Sequence, residues 1–449
     1  MPDKRASLRK GEKEKFMGGV GLLLVIVVTM LLGLPVFVAL GLTGTLGLIM
    51  TSNAGLAGIS WPVIAKNVYS GISAYAQLAV PLFILAGEIM NTSGITDRLV
   101  RFASMLIGRM PASLAQTTVL TSMFFGGITG SAQATTACVG GNMIPAMVRE
   151  GYPKETAVAV SACASSCGPV IPPSIMMILY GCSVGASIGG LFMGGILPGV
   201  LLGLGLMTVV FLQDRRKHFP RRKMKYTREE KWAITKDSIF PLLMPVIIVG
   251  GIMGGICTPT EAAAVAVAYA LFVGLVIYRN ITWKNMLQML KNAVVTTAST
   301  LLIIGVAKLV GYVFTALQVP TILANAFMAI SDSKYVFLLM VNILLLIMGM
   351  FMDGGASIVI FAPILVPIAT ALGVDPIHFG VIMTLNMAMG TATPPLGLCL
   401  FIGCNIADLP VEKGAKAVLP YVAGELVVLM LVTYLPEIVL FIPRMLGYV

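Results

Sequence analysis

The chain has 449 residues, of which 57% are hydrophobic and only 11% are charged, with a formal net charge of +11. Soluble domains contain roughly 25% charged residues, so this composition excludes an ordinary soluble protein and predicts a multi-span membrane protein. The seven cysteines lie in apolar runs without CxxC spacing, which argues against disulfide frameworks and zinc sites. No GxxxxGK[ST] sequence occurs, which excludes ATP hydrolysis through a P-loop.

Positive charge is concentrated in two segments. Residues 1–16 hold six Lys or Arg against three acids, and residues 214–237 hold ten against four. Beside apolar spans, such segments indicate loops at the membrane surface rather than nucleic-acid binding. We interpret residues 1–16 as a basic N-terminal extension and residues 214–237 as a cytoplasmic loop.

Residues 17–213 and 238–449 follow the same order of elements. Each half opens with two apolar helices separated by a Gly or Pro break, at Gly33-Leu-Pro35 and at Cys257-Thr-Pro-Thr260. We interpret the first of these helices, Gly18–Leu32, as an uncleaved span, because no clear small-x-small cleavage site ends it as in a signal peptide.

An amphipathic segment containing Trp and a nearby Lys follows each opening pair, at residues 55–70 and 282–291. This composition predicts Trp61 and Trp283 at the level of the lipid headgroups. Separate apolar helices are then expected at Ala293–Leu317 and Ile322–Ile330 in the second half. One more span is expected to end each half, near residues 187–211 and 415–443.

Two long stretches align without a gap, Ser131–Cys182 against Asp353–Cys404, at a constant offset of 222 residues. Eight positions are identical, and six of these are Gly or Pro: Pro145/Pro367, Gly151/Gly373, Gly168/Gly390, Pro172/Pro394, Pro173/Pro395 and Gly181/Gly403. Because Gly and Pro fix backbone shape, the shared pattern predicts one supersecondary unit that is used twice.

Each unit places a glycine-rich tip between two apolar runs and then a helix interrupted at a Pro-Pro pair. The second run is short for a span, which needs about 20 residues, so we predict re-entrant hairpins at about residues 113–149 and 335–371. Broken helices are predicted at about residues 153–182 and 376–405. Five full spans in each half, an odd number, invert the second repeat relative to the first and place the N-terminus outside. The predicted fold is an all-α integral membrane protein of two inverted repeats.

Irregular backbone persists in hydrocarbon only where protein or a wet cavity surrounds it. Its free carbonyls suit Na⁺, and half-helix N-termini suit a carboxylate, so the two repeats predict two sodium sites beside one anionic substrate site. The candidates for the first sodium site are Ser131, Gly130, Gly168, Val170 and Pro172. Those for the second are Asp353, Gly354, Gly390, Thr391 and Thr393. The substrate candidates are Thr129, Ser174, Asn386 and Ser357. The alternative is that the breaks only kink and pack helices.

Four polar residues lie within or near the predicted spans, and three of them, Asp353, Asn386 and Lys308, allow two interpretations each. Asp353 is either an ion ligand or a helix cap before Gly354, and both roles are compatible. Asn386 forms either a substrate hydrogen bond or an interhelical one. Glu261 follows Pro259 in a first helical turn and is interpreted as a structural cap. For Lys308, pairing with an acid and snorkelling to an interface both remain open.

Several strings resemble the large membrane subunit of tripartite ATP-independent periplasmic (TRAP) transporters. They include PLFILAGEIMN (81–91), FFGGITGSAQATTA (124–137), GPVIPPSIMMILYG (168–181), CTPTEAAAVAVAYAL (257–271) and TPPLGLCLFIGCN (393–405). The resemblance is collinear over residues 17–445. It departs from the expected pattern in the long basic extension and in the second tip, which reads Asp-Gly-Gly-Ala.

The resemblance implies an elevator-type secondary transporter that imports an organic acid with a sodium gradient across the bacterial inner membrane. It also implies two partners besides the lipid bilayer, a small four-helix membrane subunit and a soluble periplasmic substrate-binding protein. Na⁺ would be the coupling ion, with no transition metal and no organic cofactor. The alternative is a stand-alone ion-coupled carboxylate carrier. A channel is disfavoured by the asymmetric tips, and an enzyme by the lack of paired acid and base groups.

Overall fold

The computed structural model describes residues 34–51, 61–220, 226–319, 333–395 and 397–449, together with residues 18, 21, 22, 24–26, 28, 29, 32 and 321. The regular structure of these residues is helical throughout, which confirms the predicted all-α class. Seven described helices are long and apolar enough to cross a membrane, or eight if the bent pair Trp61–Ile72 and Tyr75–Thr92 counts as one span. The predicted basic extension and the Ile322–Ile330 helix lie outside the described residues.

The first half contains ten α-helices in the described part of the chain. They are α1 (Val36–Thr51), α2 (Trp61–Ile72), α3 (Ala79–Thr92), α4 (Ile95–Ile107), α5 (Ser113–Thr129), α6 (Ala132–Thr135), α7 (Gly141–Arg149), α8 (Lys154–Ala164), α9 (Ile175–Val184) and α10 (Ile188–Lys217). A π-helical segment, Thr136–Gly140, joins α6 to α7.

The described part of the second half contains nine α-helices. They are α11 (Arg228–Met253), α12 (Pro259–Phe272), α13 (Trp283–Ala316), α14 (Lys334–Phe351), α15 (Gly354–Ala371), α16 (Pro376–Gly390), α17 (Leu398–Ala407), α18 (Val411–Tyr434) and α19 (Glu437–Met445). A second π-helical segment, Val273–Ile277, extends α12.

Three helix boundaries differ from the predicted ones. Helix α13 is continuous over 34 residues, since no proline interrupts it. The sequence predicted an amphipathic segment at residues 282–291 and a separate apolar helix at Ala293–Leu317 in its place. Helices α10 and α11 extend into the basic segment, and a capping box between Thr227 and Glu230 starts α11. The last predicted span is divided, since Pro436 lies between the end of α18 and the start of α19.

The centre of the molecule consists of α8 and α16. Every residue from Thr156 to Ala164 and from Ile377 to Gly390 is buried. A helix that is apolar on all sides is stable only when other elements surround it. Helix α8 packs against α5, α17 and α18, and α16 packs against α14, α15 and α10. These neighbours keep lipid away from the helix breaks that follow α8 and α16.

Helices α2 and α13 form a closely packed pair beside this centre. A Cβ atom at Gly71 would lie 2.7 Å from the Cα atom of Gly305, so only glycine allows this approach. Trp61 and Trp283 begin the two helices and are 69% and 72% exposed, respectively.

Candidate functional site

The first hairpin tip lies directly on the first helix break. Helix α5 ends at Gly130, whose φ of 63° is left-handed and favours glycine. A Cβ atom at Gly126 would lie 2.6 Å from the Cα atom of Gly168, and one at Gly168 would lie 2.9 Å from the Ser131 carbonyl oxygen. Hairpin and break therefore touch through glycines, with no room for a methyl group.

The second hairpin repeats this contact. A Cβ atom at Gly390 would lie 2.6 Å from the Cα atom of Gly349, just before the second tip. Thus Gly168 and Gly390, which are equivalent in the sequence repeat, both pack against the helix that leads into their own hairpin tip.

Ser131 and Asp353, also equivalent, cap the helices that leave the two tips. The Ala134 amide donates to Ser131 Oγ at 3.4 Å, and the Ala356 amide donates to Asp353 Oδ2 at 3.2 Å. The Gly355 amide also donates to Asp353 Oδ2, at 3.0 Å. Asp353 therefore performs the cap role, which leaves an additional ion role open.

A hydroxyl four residues after each cap donates to the carbonyl oxygen of the cap residue. Thr135 Oγ1 donates to Ser131 O at 2.7 Å, and Ser357 Oγ donates to Asp353 O at 3.0 Å. Thr135 was not predicted as a site residue, although Ser357, its equivalent in the second repeat, was. The offset of 222 residues is the signal that could have identified Thr135.

Different carbonyls of the first break face different neighbours. A Cβ atom at Gly195 of α10 would lie 2.5 Å from the Val170 carbonyl oxygen, so this oxygen points toward α10. A Cβ atom at Gly127 would lie 3.4 Å from the carbonyl oxygen of Pro172. A Cβ atom at Gly130 would lie 2.6 Å from the carbonyl oxygen of Pro173. The tip therefore approaches the carbonyls of Pro172, a predicted site residue, and of Pro173, which the sequence analysis did not select.

The second break holds its two threonines by local hydrogen bonds. The hydroxyls of Thr391 and Thr393 donate to Ala388 O and Met389 O, both at 2.7 Å. The Cys399 amide donates to Thr391 O at 2.8 Å, which connects the break to α17. The loop is thus ordered by its own polar groups, as buried irregular backbone requires.

A cavity of about 150 Å³ lies between the two tips, and we call it the tip cavity. Of the predicted site residues, Gly130, Ser131, Asp353 and Thr391 line it, so it joins members of both predicted sodium sites. The sequence analysis did not predict three polar lining residues, Gln133, Thr296 and Thr300. Thr296 and Thr300 belong to α13, which lies outside the repeated unit and gives no motif signal.

Gln133 connects the two tips. Its amide Nε2 donates to Asp353 Oδ1 at 2.9 Å, so one carboxylate oxygen binds the first hairpin while the other caps α15. A hydrogen bond to a charged group contributes about 1.5–3 kcal/mol when it is shielded from water. The exposed setting of this one reduces its contribution to stability.

We expect Gln133→Ala to weaken the coupling between the tips with little change in fold. Because the bond is exposed, the melting temperature should stay near that of the wild type, while uptake at limiting sodium falls about threefold or more. Gln288→Ala is the matched control, since the Gln288 amide donates only to Asn292 on the exposed surface of α13. Equal uptake by the Gln133→Ala variant and the wild type would show that the bridge has no functional role.

The four predicted substrate residues do not line the tip cavity. Thr129 Oγ1 donates to Phe125 O at 3.2 Å, and Ser174 Oγ accepts from the Met177 amide at 3.2 Å. Asn386 Nδ2 donates to Asn342 Oδ1 at 2.8 Å, and Asn342 Nδ2 donates to Thr433 at 3.0 Å. Of the two readings of Asn386, the structure shows the interhelical one, across α16, α14 and α18. Ser357 faces the Asp353 carbonyl as described above.

Gly354, the remaining predicted ion-site residue, packs beside the second tip. It is buried, and a Cβ atom there would lie 2.3 Å from Met176 Cε.

The structure also places two polar residues that were not assigned to an ion site. Glu261 is a structural cap as predicted, because its Oε2 accepts from the Thr258 amide at 2.8 Å in a capping box. Lys308 has no acidic partner among the described residues and lines a second cavity.

Comparisons with known proteins identify the family. The model of the family "Tripartite ATP-independent periplasmic transporter, DctM component" matches residues 23–438. The C4-dicarboxylate TRAP transporter large permease protein DctM of Pseudomonas aeruginosa is 40% identical, with 91% of this chain and 94% of that protein covered. The sialic acid TRAP transporter large permease protein SiaM of Vibrio cholerae is 36% identical, with 93% and 96% covered.

A solved structure shares the fold. The YdaH transporter of Alcanivorax borkumensis superposes with a TM-score of 0.61 at 16% sequence identity, over 85% of this chain and 88% of that one. This similarity concerns the fold alone, whereas the family model and the large permease proteins match in sequence. The chain therefore belongs to the DctM component family of tripartite ATP-independent periplasmic transporters, which are membrane transporters and not enzymes.

Proposed function

We propose that this chain is the permease subunit of a sodium-gradient-driven transporter that imports an organic acid across the bacterial inner membrane. The observation that carries the proposal is the convergence of both hairpin tips on the tip cavity, where Ser131, Asp353 and Thr391 supply oxygen atoms. Two relatives are named for C4-dicarboxylates and for sialic acid, and both of these substrates carry carboxylates.

Sodium is the coupling ion that this chemistry favours. Na⁺ prefers oxygen ligands, and irregular backbone beside a half-helix end supplies carbonyls at membrane depth. At the first tip, the Ser131 carbonyl and the Thr135 hydroxyl lie together near Gly168. At the second tip, the Asp353 carboxylate adds a full negative charge. Binding of Na⁺ would offset that charge and allow a carboxylate to approach, so sodium and substrate would bind cooperatively.

Movement of the substrate across the membrane would follow from the packing. The hairpins and broken helices form a block held together by glycine contacts, and α13 closes the tip cavity from outside the repeated units. We assign the block to the moving part and the α2–α13 pair, with Trp61 and Trp283 at its helix starts, to the fixed scaffold. Translation of the block past α13 would expose the site alternately on each side, in an elevator mechanism.

The family name implies a small membrane subunit and a periplasmic substrate-binding protein as partners. We assign the basic segment 214–237 to the cytoplasm on the basis of its charge. The division into repeats at residues 17–213 and 238–449 belongs to the same proposal, supported by the equivalent cap and glycine contacts.

Dependence on the binding protein separates the proposal from a stand-alone carrier. The chain, co-reconstituted with its small subunit, should take up a radiolabelled organic acid only when the binding protein is added outside. We expect at least about tenfold lower uptake without it, since delivery then relies on the weak direct affinity of the permease. Equal uptake without the binding protein would establish a stand-alone carboxylate carrier instead.

A further inference from the structure

A second cavity, of about 370 Å³, adjoins the tip cavity, and we call it the Lys308 cavity. It lies between α2, α13, α15 and the end of α9, and it shares Ile304 and Val359 with the tip cavity. Its size suits a small organic acid, at the lower end of the range of about 300–1,000 Å³ for ligand pockets. The two cavities are therefore neighbours.

The Lys308 cavity is positively charged. Among its lining residues in the described part of the chain, Lys308 is the one charged residue, and no described group forms a hydrogen bond or ion pair with it. Two adjoining cavities are lined by an acid: Asp353 lines the tip cavity, and Glu261 lines a cavity that shares Ala74 and Cys182 with the Lys308 cavity. An unpaired ionisable residue in a membrane-spanning helix is a candidate for a functional site.

A second donor lines the cavity from another segment. Gln77 is only 4% exposed, and no group among the described residues accepts a hydrogen bond from its amide nitrogen Nε2. A carboxylate would satisfy this nitrogen; the Gln77 oxygen, which also has no partner, can only accept and would have to face away from the anion. Snorkelling explains an isolated lysine, but it does not explain an unpaired donor on a different segment of the same cavity.

The donors in this cavity match a carboxylate. The ammonium group of Lys308 supplies charge, and the Gln77 amide and the Tyr312 hydroxyl can donate hydrogen bonds. The hydroxyls of Ser183 and Thr315 instead donate to the carbonyls of Leu179 and Gly311 in their own helices. In the tip cavity, by contrast, the Asp353 carboxylate repels an anion unless a cation is bound.

We infer that the Lys308 cavity is a second carboxylate-binding site, where the organic acid is held before it enters the tip cavity. The inference rests on the proposed function, because it assumes that the cargo is an organic acid. It assigns a binding role to Lys308 and Gln77, which belong neither to the repeated motifs nor to the predicted sodium sites.

Native Cys182 allows a test that is independent of transport, since it lines the Lys308 cavity. The full-length chain in lipid nanodiscs is treated with an anionic or a cationic methanethiosulfonate, and peptide mass spectrometry measures labelling of Cys182. The ratio of anionic to cationic labelling rates cancels differences in thiol reactivity. We expect Lys308→Gln to lower this ratio about tenfold and succinate to slow anionic labelling in the wild type.

Two variants control for fold and charge. Lys308→Arg should keep the wild-type ratio, because it retains the positive charge. Lys291→Gln removes an exposed lysine from the same helix outside the cavity and should leave the ratio unchanged. An unchanged ratio in Lys308→Gln, or no labelling of Cys182 by either reagent, would overturn the inference.

The remaining outcomes separate the possible ligands and the proposed function. Labelling of Cys182 by the anionic reagent could be blocked in phosphatidylglycerol nanodiscs but not in phosphatidylcholine nanodiscs. That result would assign the site to a lipid headgroup and would contradict the inference. If the labelling results hold while reconstituted protein takes up no organic acid, the proposed function fails and the anion site stands. If uptake is sodium-driven but Lys308→Gln changes neither uptake nor labelling, only the inference fails.

Discussion

Gly168→Ala should strongly reduce uptake. The new methyl group would lie 2.9 Å from the Ser131 carbonyl oxygen and 3.0 Å from Thr135 Oγ1, so the first tip and the first break must separate. Overpacking of this kind costs about 1–3 kcal/mol and here displaces the carbonyls proposed to bind Na⁺. We expect initial uptake at least about tenfold below that of the wild type, with a lower melting temperature.

Gly141→Ala is the matched control for this substitution. Gly141 begins α7 in the same hairpin, and a Cβ atom there has no neighbour within 4 Å. Alanine favours helix by about 1 kcal/mol over glycine, so this variant should keep its uptake and melt at the same or a higher temperature. Wild-type uptake by Gly168→Ala would show that the tip does not depend on this contact.

Asp353→Asn should separate the two roles of this carboxylate. Asparagine caps helices about as well as aspartate, so α15 should remain intact. The substitution removes the negative charge that we propose for sodium binding. We therefore expect the sodium concentration for half-maximal uptake to rise at least about tenfold, with little change in melting temperature.

Asp375→Asn provides the control for capping alone. Asp375 caps α16 by accepting from the amides of Ile377 and His378, at 2.7 and 3.3 Å, and it does not line the tip cavity. Its variant should show the sodium dependence of the wild type. If Asp353→Asn also kept that dependence, Asp353 would be a structural cap, and any second sodium site would have to consist of carbonyls and hydroxyls alone, as the predicted first site does.

The backbone of the site could be predicted from the sequence because glycine and proline carry geometric information. The pairs Gly168/Gly390 and Pro172/Pro394 located both breaks, and the matching offset located Ser131 and Asp353 at the tips. The contacts of Gly168 with Gly126 and of Gly390 with Gly349 join different helices, whereas the two helix caps act on amides within three positions of the capping residue. Local chemistry of this kind is visible in a single sequence.

The side-chain partners could not be predicted, because they depend on how helices pack. Gln133 meets Asp353 across 220 residues, and Asn386 meets Asn342 across 44. Nothing in the aligned stretches Ser131–Cys182 and Asp353–Cys404 singles out Thr296 or Thr300, since α13 lies outside both stretches. The carbonyl of Val170, a predicted sodium ligand, approaches Gly195 of α10, a contact that its position in the sequence does not indicate.

The continuous helix α13 shows a further limit of pattern reading. Its amphipathic start and apolar remainder predict two elements, yet helix propensity favours one when no proline intervenes. Its length lets it begin at the exposed Trp283, pass the tip cavity at Thr296 and line the Lys308 cavity farther along. A single helix therefore lines both cavities.

The most direct test of the account is uptake of a radiolabelled organic acid by the complete assembly at a fixed membrane potential, with and without an inward sodium gradient. The account predicts accumulation above equilibrium only when the gradient is present, and loss of that accumulation when sodium is replaced by potassium on both sides. Equal accumulation in potassium would contradict sodium coupling at the hairpin tips.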